Sequence, residues 1–373
     1  MRNTADTARR PVRRLADFAG RDKNSYSAVR LAAAISVIFT HAYGVVGGWE
    51  AAEPLAAFTG WSLAAHAVHV FFVLSGFMIA ASWERASSLA DFAAARLLRI
   101  MPGLIAVNIA IVAIAGLWLT AASPSDFWTL DNVGGFLART LLLFSVGVTL
   151  NGVFTDNPMP GVPNIPIWTI RFEIICYVTL MAFMAGVAAL RLGGTARIFA
   201  VAPVVALSAL VISVSGAPEQ FGFAAQLARF VLAFYLGVGA WFLRDRIPIR
   251  ADIAAACAAI AAAAAWSGLP VRYPLMIVAT AYVSFWVGSL PMGAVQRWTA
   301  RTDLSYGVYI AGFFIQQTLV ALMPDSGVFA NAAIATVLAL GAAWLSWTCV
   351  EKPALRLRHR LVQPRRASAA IAA

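Results

Sequence analysis

Arg30 and His41 are the two polar landmarks of an otherwise apolar run near 28–48. A helix rises about 1.5 Å per residue, so the step between them is roughly 16 Å. With Arg30 at a membrane surface, His41 is expected near mid-bilayer. An ionisable side chain at that depth usually faces a polar cavity inside a bundle and marks a functional site. A neutral imidazole can take a proton from an alcohol or briefly carry an acyl group, and its unperturbed pKa near 6.5 suits both tasks. A histidine that only hydrogen-bonds across the bundle is the competing account.

Further groups could act with this pair. Arg96 and Arg99 share a helix face at i and i+3, with Pro102 close behind. Their guanidinium forks match phosphate geometry and suit docking of a phosphorylated donor, although basic anchoring at a membrane surface gives the same pattern. In the run Phe71 to Phe77, Ser75 and Gly76 sit among aromatic bulk, which permits close backbone approach. His66 and His69 lie one turn apart and could line a pocket mouth; no third ligand is visible, so no metal site is expected. Trp168 and Thr169 lead to Glu173, a carboxylate that could orient His41 or pair with Arg171 or Arg139. Ser305, Tyr306, Tyr309, Gln316 and Gln317 make one apolar run unusually polar, which interhelical hydrogen bonds would explain.

The elements that must hold these residues are membrane helices. The chain has 373 residues, 61% hydrophobic and 12% charged, with mean hydropathy +0.77; soluble proteins carry about 25% charged residues. The net charge of +11 does not indicate nucleic acid, because the basic residues cluster in short segments between apolar runs. Runs of spanning length fall near 28–48, 63–83, 102–122, 166–190, 197–215, 222–243, 251–268, 272–290, 303–323 and 328–350. An all-α polytopic membrane protein of about ten spans is expected. A shorter run near 135–150, containing Arg139, is expected to be re-entrant or interfacial.

Charge sets the expected orientation. Arg2, Arg9, Arg10, Arg13, Arg14, Arg21, Lys23 and Arg30 open the chain, and Arg356, Arg358, Arg360, Arg365 and Arg366 close it. Ten spans put both ends on one side together with Arg85, Arg96, Arg99, Arg191, Arg197, Arg244, Arg246, Arg250, Arg297 and Arg301. The positive-inside rule makes that side cytoplasmic and the location the inner (plasma) membrane. Glu219 falls in a loop on the other side. No cleavage site follows a short apolar region, so the first helix is expected to stay. Cys176, Cys257 and Cys349 lie in separate apolar segments, and no disulfide is expected. The alanine-rich stretch 254–265 reads as a close-packing helix, and the proline-rich segment 157–166 as a loop. No internal repeat appears.

Taken in order, these motifs resemble the acyltransferase 3 family of membrane acyltransferases. They are Arg30 with His41, the Phe-Phe-Val-Leu-Ser-Gly-Phe run at 71–77, Arg96 and Arg99 with Pro102, and Asn164 and Trp168-Thr169 leading to Glu173. Leu304-Ser305-Tyr306-Gly307-Val308-Tyr309 and Glu351-Lys352-Pro353 complete the set. The resemblance covers about 25–357 and implies transfer of an acyl group, usually acetyl, from cytosolic acyl-CoA to a hydroxyl of an extracytoplasmic polysaccharide or glycolipid. It implies His41 and Glu173 as catalytic residues, Arg30, Arg96 and Arg99 as donor-binding, and Ser75, Gly76, Trp168, Thr169, Tyr306 and His69 as pocket or motif residues. Acyl-CoA is a co-substrate, with no bound cofactor or metal expected. Two departures stand out: Ile165, Pro166 and Ile167 replace the Gly-Ser-Leu that many relatives carry after the asparagine, and Gly312 stands where many carry a second histidine.

The expected organisation is a basic segment at 1–26, a transmembrane acyltransferase domain at 27–352 and a basic tail at 353–373. A transporter or flippase of a lipid-linked sugar is the alternative, disfavoured by the missing repeat. A serine protease using Ser75 with His41 lacks the Gly-x-Ser-x-Gly elbow. The acceptor, the acyl length, the oligomeric state and any need for a separate extracytoplasmic partner are not legible in the sequence.

Overall fold

The computed structural model describes residues 12–143, 148–216 and 222–362. Arg2, Arg9, Arg10, Glu219, Arg365 and Arg366 lie outside the described residues. Among the described residues fifteen α-helices follow one another: α1 Tyr26–Gly47, α2 Pro54–Thr59, α3 Leu63–Glu84, α4 Leu89–Ile114, α5 Pro124–Phe127, α6 Gly135–Leu141, α7 Ile170–Ala189 and α8 Gly194–Val214. Then come α9 Phe223–Phe242, α10 Ala251–Ser267, α11 Arg272–Gly288, α12 Gly293–Arg301, α13 Ser305–Leu322, α14 Val328–Ser346 and α15 Lys352–Val362.

Each of the ten expected apolar runs falls on a helix. Among the described residues eight are long and apolar enough to cross a membrane, and α11 with α12, bent by 106°, brings the number to nine when the pair is counted as one span. Helix α10 is also apolar but has only 17 residues, a rise of about 26 Å against a hydrocarbon core of about 30 Å. The chain is a multi-pass membrane protein. Of the run at 135–150, α6 has seven residues, too few to cross, and 144–147 lie outside the described residues.

The central crossing is α3 on α9. A Cβ added at Gly76 would stand 2.0 Å from the Phe234 carbonyl oxygen, and one at Gly237 would stand 2.1 Å from that of Val73. Reciprocal glycines let the two backbones touch. Phe72 and Phe230 stack beside them at 4.5 Å. The aromatic Ser-Gly run is therefore a packing seam, with Ser75 on its edge.

A second seam joins α1 to α13. A Cβ on Gly312 would meet Ile38 Cγ1 at 2.7 Å, so the glycine that departs from the family pattern permits this approach. Gln316 Nε2 donates to the Ile38 carbonyl at 2.8 Å and to Asn331 Oδ1 at 3.1 Å. Gln317 Nε2 donates to the carbonyls of Met159 and Val162, and Asn157 Nδ2 returns a bond to Gln317 Oε1. The two glutamines thus stitch a helix and the proline-rich loop together, as expected of interhelical hydrogen bonds. Among the alanines of α10 only Ala254, Ala264 and Ala265 are buried, a narrower stripe than the composition suggested.

Candidate active site

Residues of α1, α3, α4, α7 and α13 enclose a cavity of about 390 Å³, within the usual 300–1,000 Å³ range of small-molecule sites. Arg30, Arg96 and Arg99 all line it, joined by Arg85 and Arg358. The arginine pair, expected ahead of the third span, lies inside α4, which begins at Leu89. Its first turns face the polar cavity, so the apolar run starts later than the helix does.

Carboxylates fix part of this basic wall. Asp303 accepts from Arg30 at 3.0 Å and from Arg99 at 2.8 Å. Glu351, almost fully buried, accepts from Arg99 at 2.6 Å and from Ser346 Oγ at 2.9 Å. Asp303 is itself held by Ser305 Oγ at 2.6 Å. Glu351 sits on a π-turn, Trp347–Glu351, between α14 and α15; such bulges inside helices recur at functional sites. Arg358 pairs with Asp91 at 2.7 Å. Arg96 differs from these: its one hydrogen bond goes to Ser82 Oγ at 3.4 Å, and its Nε is buried without a partner. A guanidinium fork without a carboxylate thus faces the cavity.

The opposite wall carries a carboxylate and hydroxyls. Tyr177 Oη donates to Glu173 one turn away and lies 3.5 Å from Ser75 Oγ. Thr169 Oγ1 and Tyr309 Oη share a hydrogen bond of 2.7 Å, and Tyr306 Oη donates to the Ile100 carbonyl at 2.8 Å. Glu173 therefore has Tyr177 as its partner. Arg171 instead lies over Phe172 and Phe223, and Arg139 Nε donates to the Gly135 carbonyl.

His41 stands apart from this cavity. It lies about 22 Å from the Tyr26 end of α1 and about 9 Å from the Gly47 end at helical rise. Its ring is half-buried and edge-on to Phe313 at 5.3 Å, with no hydrogen bond to any described residue. Next to it, Thr40 Oγ1 accepts from the Ala64 backbone at the start of α3. Along α1, His41 therefore stands nearer the Gly47 end than the end that carries Arg30. His69 is fully buried against Trp61, and Trp168 packs on Phe172 and Phe230.

Three groups that complete the arginine cavity, Asp303, Tyr177 and Arg358, escaped the sequence reading. Asp303 carried a faint signal: an acid set among Arg297, Arg301 and Ser305 just ahead of a polar helix start. Tyr177 carried another, one turn from Glu173.

Comparison with known proteins agrees with this geometry. The family model described as an acyltransferase domain, that of acyltransferase 3, matches residues 23–350. The chain is 29% identical to nodulation protein 10 of Rhizobium leguminosarum bv. viciae, over 92% of this chain and 96% of that protein. It is 28% identical to an O-acetyl transferase of Shigella phage Sf6, over 88% and 95% respectively. No solved structure matches the chain significantly. A bundle of apolar helices around an arginine cavity, matched by that family over nearly its whole length, belongs to the acyltransferase 3 family and is a membrane O-acyltransferase.

Proposed function

We propose that this protein moves an acyl group, acetyl first among candidates, from cytosolic acyl-CoA to a hydroxyl of an extracytoplasmic polysaccharide or glycolipid. The observation that carries the reading is the cavity with five arginines, of which Arg96 has no carboxylate partner among the described residues. A CoA donor brings phosphates, and planar arginine forks bind phosphate through paired charge-assisted hydrogen bonds. Arg244, in one of the basic loops, lies 4.0 Å from Glu84, next to the cavity-lining Arg85, and the positive-inside rule supports a cytoplasmic assignment of that end, with both termini, in the inner membrane.

His41 then serves the far half of the reaction. As general base it takes the acceptor hydroxyl proton while that oxygen attacks the thioester carbonyl; the carbon–sulfur bond breaks and CoA leaves as a thiolate that takes up a proton. As acyl carrier, the imidazole attacks first and the alcohol then attacks the acyl-imidazole. Either route needs an imidazole nitrogen free of competing partners, and His41 makes no hydrogen bond to a described residue. Glu173 and Tyr177 form a proton-holding pair on the donor side. Helices and bilayer around the path exclude the water that would hydrolyse the thioester.

The test is acetyl transfer from labelled acetyl-CoA in proteoliposomes, with mass analysis of surface glycans from cells with and without the protein. Acetyl-CoA consumption with a matching acetyl gain on a glycan is expected. Sugar translocation without acetyl-CoA consumption would instead establish a flippase.

A further inference from the structure

Away from the arginine cavity, α9 buries a sixth guanidinium. Arg229 is 6% exposed, yet it makes no hydrogen bond or ion pair with any described residue, and its Nε is enclosed. Its neighbours are aromatic faces: the guanidinium carbon lies 4.4 Å from the Phe230 ring, 5.7 Å from Trp168 and 5.9 Å from Trp61. Cation–π contacts of this kind supply no hydrogen-bond acceptor, whereas a buried ion is stabilised most by a paired, hydrogen-bonded opposite charge. The aromatic box therefore does not account for the charge.

Three more buried polar atoms in the same box have no partner. They are both ring nitrogens of His69 and the indole Nε1 of Trp61, whose rings are 4.7 Å apart. Buried polar atoms in native proteins are nearly always hydrogen-bonded, so a concentration of orphans marks a place where something else binds. His69 and Arg229 stand at matching depth, six residues into α3 and α9, which run side by side in the same direction. The box also adjoins the donor cavity: Val68 beside His69 and Thr169 beside Trp168 both line that cavity.

We infer that Arg229, His69 and Trp61 form an anion subsite that holds an acidic group of the acceptor, the carboxylate of an acidic sugar or the phosphate of a sugar-phosphate headgroup. The guanidinium supplies the missing charge pairing, and His69 and Trp61 supply further donors. Placed beside the donor cavity, the site sets which acceptors enter and how they lie. This deepens the proposed acyl transfer by naming the acceptor class, and its role in catalysis rests on that reading.

The test uses the full chain in detergent with thermal unfolding as readout, titrated with glucuronate, glucose 1-phosphate, glucose and, separately, CoA. The titrations are run in wild type and in Arg96→Gln, where phosphate binding in the donor cavity is weakened. At least one anionic sugar is expected to raise the unfolding temperature saturably, and glucose is expected not to. Response to glucuronate alone assigns a carboxylate, and response to glucose 1-phosphate alone assigns a phosphate. Arg229→Gln is expected to abolish the shift and keep the CoA response, and Arg229→Lys to weaken the apparent affinity about tenfold, as for loss of a charge-assisted hydrogen bond. Without ligand, Arg229→Gln is expected to unfold no earlier than wild type, because it removes an uncompensated ion. A shift that survives Arg229→Gln, an equal response to glucose, or no response to any sugar overturns the subsite. Lower unliganded stability of Arg229→Gln with its sugar response intact would make Arg229 structural. Failure of wild type to respond to CoA would overturn the donor reading and leave this one standing.

Discussion

The two halves of α1 are built on opposite principles. Around Arg30, charges gather in a cavity and most are held by named partners, Asp303 and Glu351 chief among them. Around His41, the helix is sealed against α13 by Gly312 and Gln316, and the imidazole has an aromatic edge for a neighbour. The difference follows from what each end would handle. A polyanionic donor needs several fixed cations, and Asp303 and Glu351 offset the cost of holding Arg30 and Arg99 inside a membrane protein. A proton or acyl acceptor needs one unoccupied nitrogen, which salt bridges would encumber.

This contrast can be broken most sharply at His41. His41→Ala is expected to cut acyl transfer by about 100-fold or more, the usual scale for losing a general base. The acyl-CoA KM and the gel-filtration profile are expected to stay near wild type; appreciable residual turnover in a labelled acetyl-CoA assay would end the division of labour between the halves.

At the other end, Asp303→Asn leaves Arg30 and half of the Arg99 pairing uncompensated. Removing one partner of a buried ion pair costs about 3–5 kcal/mol, so a clear drop in thermal stability is expected. The acyl-CoA KM should rise with it, because the two forks lose their common anchor. Unchanged stability would mean that the carboxylate does not organise the cavity.

Arg96→Gln probes a cavity cation that has no carboxylate partner among the described residues. Since it ties down no acid, its loss should spare stability and raise the acyl-CoA KM by about 10–100-fold, the scale of a hydrogen bond to a charged group. A change in kcat with constant KM would move Arg96 from donor binding to the reacting centre.

The smallest effect is expected at the α1–α13 seam. Gly312→His inserts a side chain against Ile38 and should destabilise by about 1–3 kcal/mol, as overpacking does. The double variant Gly312→His with Ile38→Ala should recover part of that loss in thermal unfolding. No recovery would show that the seam is not set by this contact.

Much of the molecule was legible because membranes impose simple rules. Each expected apolar run is a helix, since no other open-ended segment can satisfy its backbone in lipid. Arg30, Arg96 and Arg99 meet in one cavity as their shared chemistry suggested, although they lie on two helices far apart in the chain. The partnership imagined between Glu173 and His41 is absent: Tyr177, one helical turn away, occupies the carboxylate. Gly76 illustrates the same limit. Its sequence context suggested close approach but could not reveal that Phe234 and Gly237 are the other half of the contact.

The sequence by itself determined the membrane class, the helical runs, the family and the residue types that could do chemistry, because hydropathy, charge distribution and ordered motifs are properties of the chain. Only the tertiary structure decided which charges pair. It gave Arg99 to Asp303 and Glu351, left Arg96 and Arg229 without carboxylates among the described residues, and set His41 away from the cavity arginines. The physical reason is that pairing depends on distances of a few ångströms between side chains on different helices, and these are fixed by where glycines let backbones meet.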